Sequence, residues 1–402
     1  MMQSLSEIRQ LLQTKIFAHP FVSVFNPYSR SVLGKLSRCH SSAIGMHVYQ
    51  CNNCQQIHYQ YHCCGDRHCP NCGGMKREEW IQDRMNELIP TKYYHLVFTL
   101  PQELRSLCMG NRKVMFNLLF KCAHYTLLKL AKDDKYLGGT PGITSILHTN
   151  GQDLSFHPHI HSIVSGGGID KDGKWIKEKR ANGLFLFPRR AMEKIFKARF
   201  LHQLRQGVKD QTIKIAPHLN FDKLIMAVGY KKWNVYAKAP FGGPAQIIEY
   251  LGRYTHKVAI SVNRIIAIDD QYITFKYKDY ADRNLVKEMS LTHQEFLRRF
   301  EQHILPKRFV KIRHAGILTH RNKKLRITSI LQQMDIKARF SNTKIPNDLQ
   351  LIIKSGINPL RCKNCETGML ILIESFRNHN GQMVPMGPFK NKGSPFLQIQ
   401  IP

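Results

Sequence analysis

Histidines 157, 159 and 161 stand in the segment FHPHIHSIVSGGG. In a β-strand, residues i and i+2 point to the same face. His159 and His161 can therefore grip one metal ion while Ile160 enters the core behind them. An isolated His-x-His is more often a pair of surface histidines. This one lies in an apolar strand of a strongly basic chain, beside glycines that let backbone approach a substrate closely. A zinc hydrolase of the HxHxDH type is excluded, because Ile163 and Val164 occupy the Asp and His positions.

A second chemical element is EYLGRYTHK, where Tyr250 and Tyr254 are four residues apart and so share a helical face. A tyrosine hydroxyl can attack a phosphodiester and keep the bond energy in a phosphotyrosine, provided a metal polarises the phosphate. Two tyrosines at this spacing are commonly core aromatics. Gly252, Arg253 and His256 on the same segment instead suit a helix that faces a phosphate.

Of the eleven cysteines, seven fall between Cys39 and Cys72. In a reducing compartment such clusters read as metal ligands rather than disulfides. Cys51 and Cys54 form one CxxC and Cys69 and Cys72 another, close to the spacing of a zinc ribbon. Two such knuckles complete a tetrahedral zinc site, closed by four thiolates and hence structural. Cys39, Cys64 and His68 in the same stretch are further ligand candidates. The distal pair Cys362 and Cys365 has no partner visible in the sequence.

These groups need elements to hold them. YYHLVFTLP, ITSILHTNGQ and LSFHPHIHSIVSGGGID read as strands, and Asp172-Gly173 as a hairpin turn. Helical periodicity runs over Val114–Ala131, Arg189–Val208 and Thr292–His303. Strands and helices alternate without a parallel βαβ rhythm, which predicts an α+β fold with an antiparallel sheet. Three domains are expected: 1–88, zinc-binding and ribbon-like; 89–320, carrying the histidines and tyrosines; and 321–402, basic, with the distal CxxC.

Lys and Arg number 60 against 28 Asp and Glu, a formal charge of +32. Such an excess calls for a polyanion. No apolar run is long enough to span a bilayer, and the first fifteen residues lack a signal-peptide core. A cytoplasmic nucleic-acid-binding protein is the expected class. Ten Lys or Arg against one acid lie between Lys307 and Arg339. Arg313, Lys323 and Lys324 there, with Arg253, are candidate DNA contacts.

Zinc cluster, His-x-His strand and paired-tyrosine helix, in that order, resemble the HUH transposases of rolling-circle elements. More narrowly they resemble the insertion sequence 91 type. RHCPNC, YYHLVFTLP, FHPHIHSIVSGGG, PFGGPAQIIEYLGRYTHKVAIS and EFLRRFEQHILPKRFVKIRHAGIL carry the resemblance over about Cys39 to Leu318.

The resemblance implies an HUH-type antiparallel sheet flanked by helices, preceded by a small zinc-binding domain. It implies cleavage and strand transfer of single-stranded DNA at element ends, with catalytic Mg²⁺ or Mn²⁺ on His159 and His161. Tyr250 and Tyr254 match the nucleophiles, which form a 5′-phosphotyrosine. A third ligand is expected among His157, Gln152, Gln246 and Glu249. No helicase motif follows, so host replication or helicase factors are expected partners in the bacterial nucleoid, and a homodimer is left open. A plasmid replication initiator or relaxase would use the same chemistry, whereas a zinc-ribbon DNA-binding regulator would need neither histidine pair nor tyrosine pair.

The charge alone makes a prediction. Affinity for single-stranded DNA should fall steeply with salt, by about 0.7 counterions released per neutralised phosphate. Fluorescence anisotropy across a salt series checks this, and a flat response refutes it.

Overall fold

The structure is a computed structural model that describes residues 3–387, apart from 86, 180–185, 239–245, 247, 249–251, 253–258, 281, 338–348, 350, 351, 354 and 355. In chain order the strands are β1 (Gly45–Cys51), β2 (Ile57–Tyr61), β3 (Tyr93–Thr99), β4 (Thr140–Asn150), β5 (Phe156–Ile169), β6 (Trp175–Lys177) and β7 (Val235–Lys238). There follow β8 (Ile265–Ile268), β9 (Tyr272–Asp279), β10 (Leu285–Thr292), β11 (Ile312–Gly316), β12 (Leu370–His379) and β13 (Gln382–Pro385). The helices that bear on the site are α1 (Gly74–Met85), α2 (Arg112–Ala131), α3 (Arg189–Lys209), α4 (Phe221–Tyr230), α5 (His293–Glu301) and α6 (Lys323–Gln333). All described strand pairings are antiparallel, so the fold is α+β as the sequence predicts. No described helix is long and apolar enough to cross a membrane.

The chain forms two compact units. The larger comprises residues 1–8 and 73–344, the smaller residues 9–72 and 345–402. The larger is built on the sheet β11-β4-β5-β3-β7, with β6 added to β5. Its central ladder sets Ile146 and Val97 on either side of His161, and His148 and Thr99 on either side of His159. Alternation then assigns the faces. Phe98, Leu147, Phe156, Ile160 and Val164 enter one core with Phe116 and Leu119 of α2, Phe196 and Phe200 of α3, and Trp233 after α4. Full burial of each large side chain contributes about 1.5–3 kcal/mol. On the opposite face Tyr93, Ile146 and Ile163 pack with Trp80 of α1, Leu88 and Ile312.

The smaller unit departs from the expected linear division. Its four-stranded sheet has the order β13-β12-β1-β2, with Gly45 to Cys51 of β1 paired to Arg377 to Leu370 of β12. A lone β1–β2 hairpin would be marginal in water, and the distal strands complete it. Residue 320 is not a boundary either: Ile330 of α6 is buried with Ile89 and Ile317 of the larger unit.

The glycine run after Ser165 also differs in role. It packs on the protein itself rather than lying open to a substrate. A Cβ on Gly167 would fall 2.3 Å from the Trp175 ring, and one on Gly168 would fall 2.6 Å from the Thr140 carbonyl oxygen. Gly167→Ala should therefore destabilise the larger unit by about 1–3 kcal/mol, measured by urea denaturation. An unchanged midpoint would show that the β5–β6 hairpin tolerates the added methyl.

Candidate metal centre

His159 and His161 project from β5 on the face away from α2 and α3. Register, not sequence proximity, adds the third imidazole: His148 on β4 lies directly opposite His159. The ring centroids of His148 are 5.4 Å from His159 and 4.7 Å from His161. One nitrogen from each of the three lies within 4.8 Å of the others. Two nitrogens bound to one ion at 2.0–2.1 Å are separated by at most about 4 Å, so this donor set fits a single cation with little adjustment.

Hydrogen bonds orient two of the rings. His159 Nδ1 lies 2.6 Å from the His157 carbonyl. A carbonyl can only accept, so Nδ1 carries the proton and Nε2 keeps its lone pair for a metal. Burial pushes His159 down to about 4, against the opposing effect of that hydrogen bond, so the ring is neutral at pH 7 and ready to ligate. His161 Nδ1 is 2.9 Å from Nε2 of buried His95 on β3, in nearly parallel planes 4° apart. His95 thus fixes His161 from behind. His148 stands in no sequence motif, and His95 lies in YYHLVFTLP with nothing there to mark it as a support for His161; each is brought in by strand pairing.

Two of the expected third ligands are engaged elsewhere. His157 Nδ1 accepts from Arg105 at 2.9 Å. Gln152 sits in the β4–β5 turn, its amide 3.3 Å from the Tyr280 hydroxyl. Gln246 is exposed. Glu249 falls outside the described residues.

Tyr250, Tyr254 and Arg253 likewise lie outside the described residues. Gly252 between them is described: a Cβ there would come within 2.4 Å of Ile81, on the helix α1 that covers the histidine face. Two proposed DNA contacts are occupied within the fold. Arg313 points to the helical face, its guanidinium 4.3 Å from the Phe120 ring and 5.1 Å from that of Phe309, with desolvation lowering its pKa. Lys323 is largely buried against Glu87, which also pairs with Arg84 at 2.9 Å. Lys324 is exposed.

In the smaller unit the expected zinc quartet is divided. Cys69 and Cys72 join Cys39 and Cys64, whereas Cys51 and Cys54 meet Cys362 and Cys365. The two knuckles nearest in sequence do not pair, because the β1–β2 hairpin carries Cys51 and Cys54 to its turn, next to the distal segment. In the first group the sulfurs are 3.3 Å (Cys39–Cys72), 3.5 Å (Cys39–Cys69) and 3.7 Å (Cys64–Cys72) apart. Four sulfurs 2.3 Å from one zinc have edges of about 3.8 Å, so the group fits a tetrathiolate site. Neighbouring sulfurs push the Cys69 thiol up and draw the Cys72 thiol down. A hydrogen bond to Cys72 raises His40. His68 is not in the group; its Nδ1 is 2.8 Å from Asp66.

Comparison with known proteins places this arrangement. Residues 142–325 match a family model described as "Putative transposase", and residues 9–100 one described as "Transposase zinc-binding domain". The chain is 36% identical over 364 residues to "Putative transposase y4qJ" of Sinorhizobium fredii, covering 88% of this chain and 90% of that protein. It is 28% identical over 349 residues to the "Transposase for insertion sequence element IS801" of Pseudomonas savastanoi pv. phaseolicola, covering 84% and 81%. A metal-bound structure of the conjugative relaxase TrwC with oriT DNA matches 58% of this chain and 96% of that one, at 10% identity and a TM-score of 0.24.

If His148 completes the metal centre, His148→Ala should weaken Mn²⁺ binding by roughly 10-fold or more without changing the circular dichroism spectrum. Isothermal titration would show this, and an undiminished affinity would remove His148 from the ligand set.

Proposed function

Because this chain belongs to the transposases of the insertion sequence 91 type, with their zinc-binding domain, we propose that it cuts single-stranded DNA at its element's ends and transfers the strand through a 5′-phosphotyrosine. Three converging imidazoles on one face of an antiparallel sheet carry this reading. A Mn²⁺ or Mg²⁺ ion held by His148, His159 and His161 would draw charge from a phosphate oxygen in the transition state; imidazole donors suit Mn²⁺ at least as well as Mg²⁺.

The chain's own residues would do the rest. Neutral His159 is oriented by the His157 carbonyl, and His161 is held by His95. Gly252 against α1 supports a tyrosine helix on the histidine side of the sheet. Tyr250 or Tyr254 would attack phosphorus, forming the tyrosyl O–P bond and breaking the bond to the 3′ oxygen. That oxygen leaves as a 3′-OH after taking a proton. A phenol titrates near 10, so the nucleophile must lose its proton as it attacks. The second tyrosine, or the freed 3′-OH, would resolve the covalent joint. Strand separation would fall to host helicase or replication factors.

A replication initiator with the same chemistry has nothing in its favour beside two relatives named as transposases. A regulator that only binds DNA would have no use for three converging imidazoles.

Replacing Tyr250 and Tyr254 together by Phe removes two oxygens and keeps the rings. The double variant should fold and bind DNA but form no covalent adduct on a denaturing gel. In the wild type, label downstream of the cut should migrate with protein while upstream label runs free. Adduct formation by the double variant would end the tyrosine reading, and protein on the upstream fragment would reverse its polarity.

A further inference from the structure

The second cysteine quartet joins segments from opposite ends of the chain. Cys51 and Cys365, 314 positions apart, have sulfurs 3.7 Å from each other, and so do Cys54 and Cys362, 308 positions apart. All four sulfurs lie within 4.8 Å of one another. We propose that Cys51, Cys54, Cys362 and Cys365 bind a second zinc ion, a tetrathiolate clasp that locks the distal β12–β13 hairpin onto β1 and β2.

The two contributing turns share one construction. CNNC is followed by Gln55 and CKNC by Glu366, both in the left-handed region with φ of 59° and 56°. The Gln55 N–H donates to the Cys51 carbonyl at 3.1 Å, and the Glu366 N–H to the Cys362 carbonyl at 3.0 Å. Each turn thereby folds back so that its two sulfurs face the other turn. Backbone amides point at the sulfurs, as a charged thiolate requires: Asn53 and Cys54 donate to Cys51 at 3.4 and 3.5 Å, and Gly368 donates to Cys365 at 3.3 Å. The approach of Gly368 is close enough that a Cβ would lie 2.3 Å from the Cys51 sulfur. Cys51 and Cys362 are fully buried.

The distances fit zinc and not cystine. Sulfurs around zinc at 2.3 Å are about 3.8 Å apart, whereas a disulfide needs about 2.05 Å. On binding, zinc displaces the remaining thiol protons to solvent. The clasp sits where the β1–β12 ladder ends at Cys51 and Leu370. Its binding energy therefore holds the distal segment in register, and the smaller unit closes only once the whole chain has been made. This holds whether or not the chain cuts DNA through a tyrosine.

Full-length protein produced in zinc-depleted medium supplied with cobalt tests the clasp. Sulfur-to-cobalt charge-transfer bands count thiolate-bound metal and are silent for the histidine cluster. The wild type should show two tetrathiolate cobalt ions per chain, and Cys362→Ser/Cys365→Ser should lose half of the absorbance. Cys64→Ser/Cys72→Ser should lose the other half. One equivalent in the wild type, or full absorbance in the Cys362/Cys365 variant, would overturn the proposal. Should that variant fail to fold, alkylation of the native zinc protein decides: the four cysteines should be protected together, and a disulfide-linked Cys51–Cys365 peptide would refute the clasp.

Discussion

The two-residue period of β5 is the constraint on which the histidine centre depends. Ile160 and Val164 are buried under α2 and α3, so the residues between them must face the other way. A one-residue slip would send His159 and His161 into an apolar core and expose isoleucine and valine in their place. Burial of the hydrophobic set thus fixes the direction of the polar set. Pairing with β4 and β3 on either side then delivers His148 as a third donor and His95 as a support.

The donor sets divide by chemistry and by closure. Four sulfurs around one point saturate a zinc ion and leave no position for a substrate; they make a scaffold. Three imidazoles leave positions open, and their softness suits a transition-metal ion better than Mg²⁺. The open set lies in the larger unit, on a sheet backed by a thick aromatic core. The closed sets lie in the smaller unit, whose short strands β1 and β2 bury few large side chains. Zinc bound there would add folding energy to that sheet beyond what its few buried side chains supply.

The charge of +32 is not simply a DNA-binding surface. Arg313 lies over the rings of Phe120 and Phe309, and Lys323 answers Glu87 beside Arg84. Their long side chains cover apolar or acidic groups inside the fold. Lys324, next to Lys323 in sequence, is exposed. Adjacent residues on a helix differ by about 100° in direction, so a run of basic residues divides between interior and surface.

Period and spacing by themselves determined the strands around His159 and Tyr93, the helices α2 and α3, the turn at Asp172-Gly173, and metal binding at the CxxC knuckles. All of these are local: side-chain alternation and turn chemistry act within a few residues. Which knuckle meets which, and which histidine stands opposite His159, was decided only by tertiary structure. Both follow from strand register, β1 with β12 and β4 with β5, which is set by burial across the whole sheet. Cys362 and Cys365 looked partnerless because their partners are some 300 positions away. The sequence offered His157 and Gln152 as neighbours of His159, but the neighbour that counts is across the ladder, where His148 is fixed by backbone hydrogen bonds that no motif encodes.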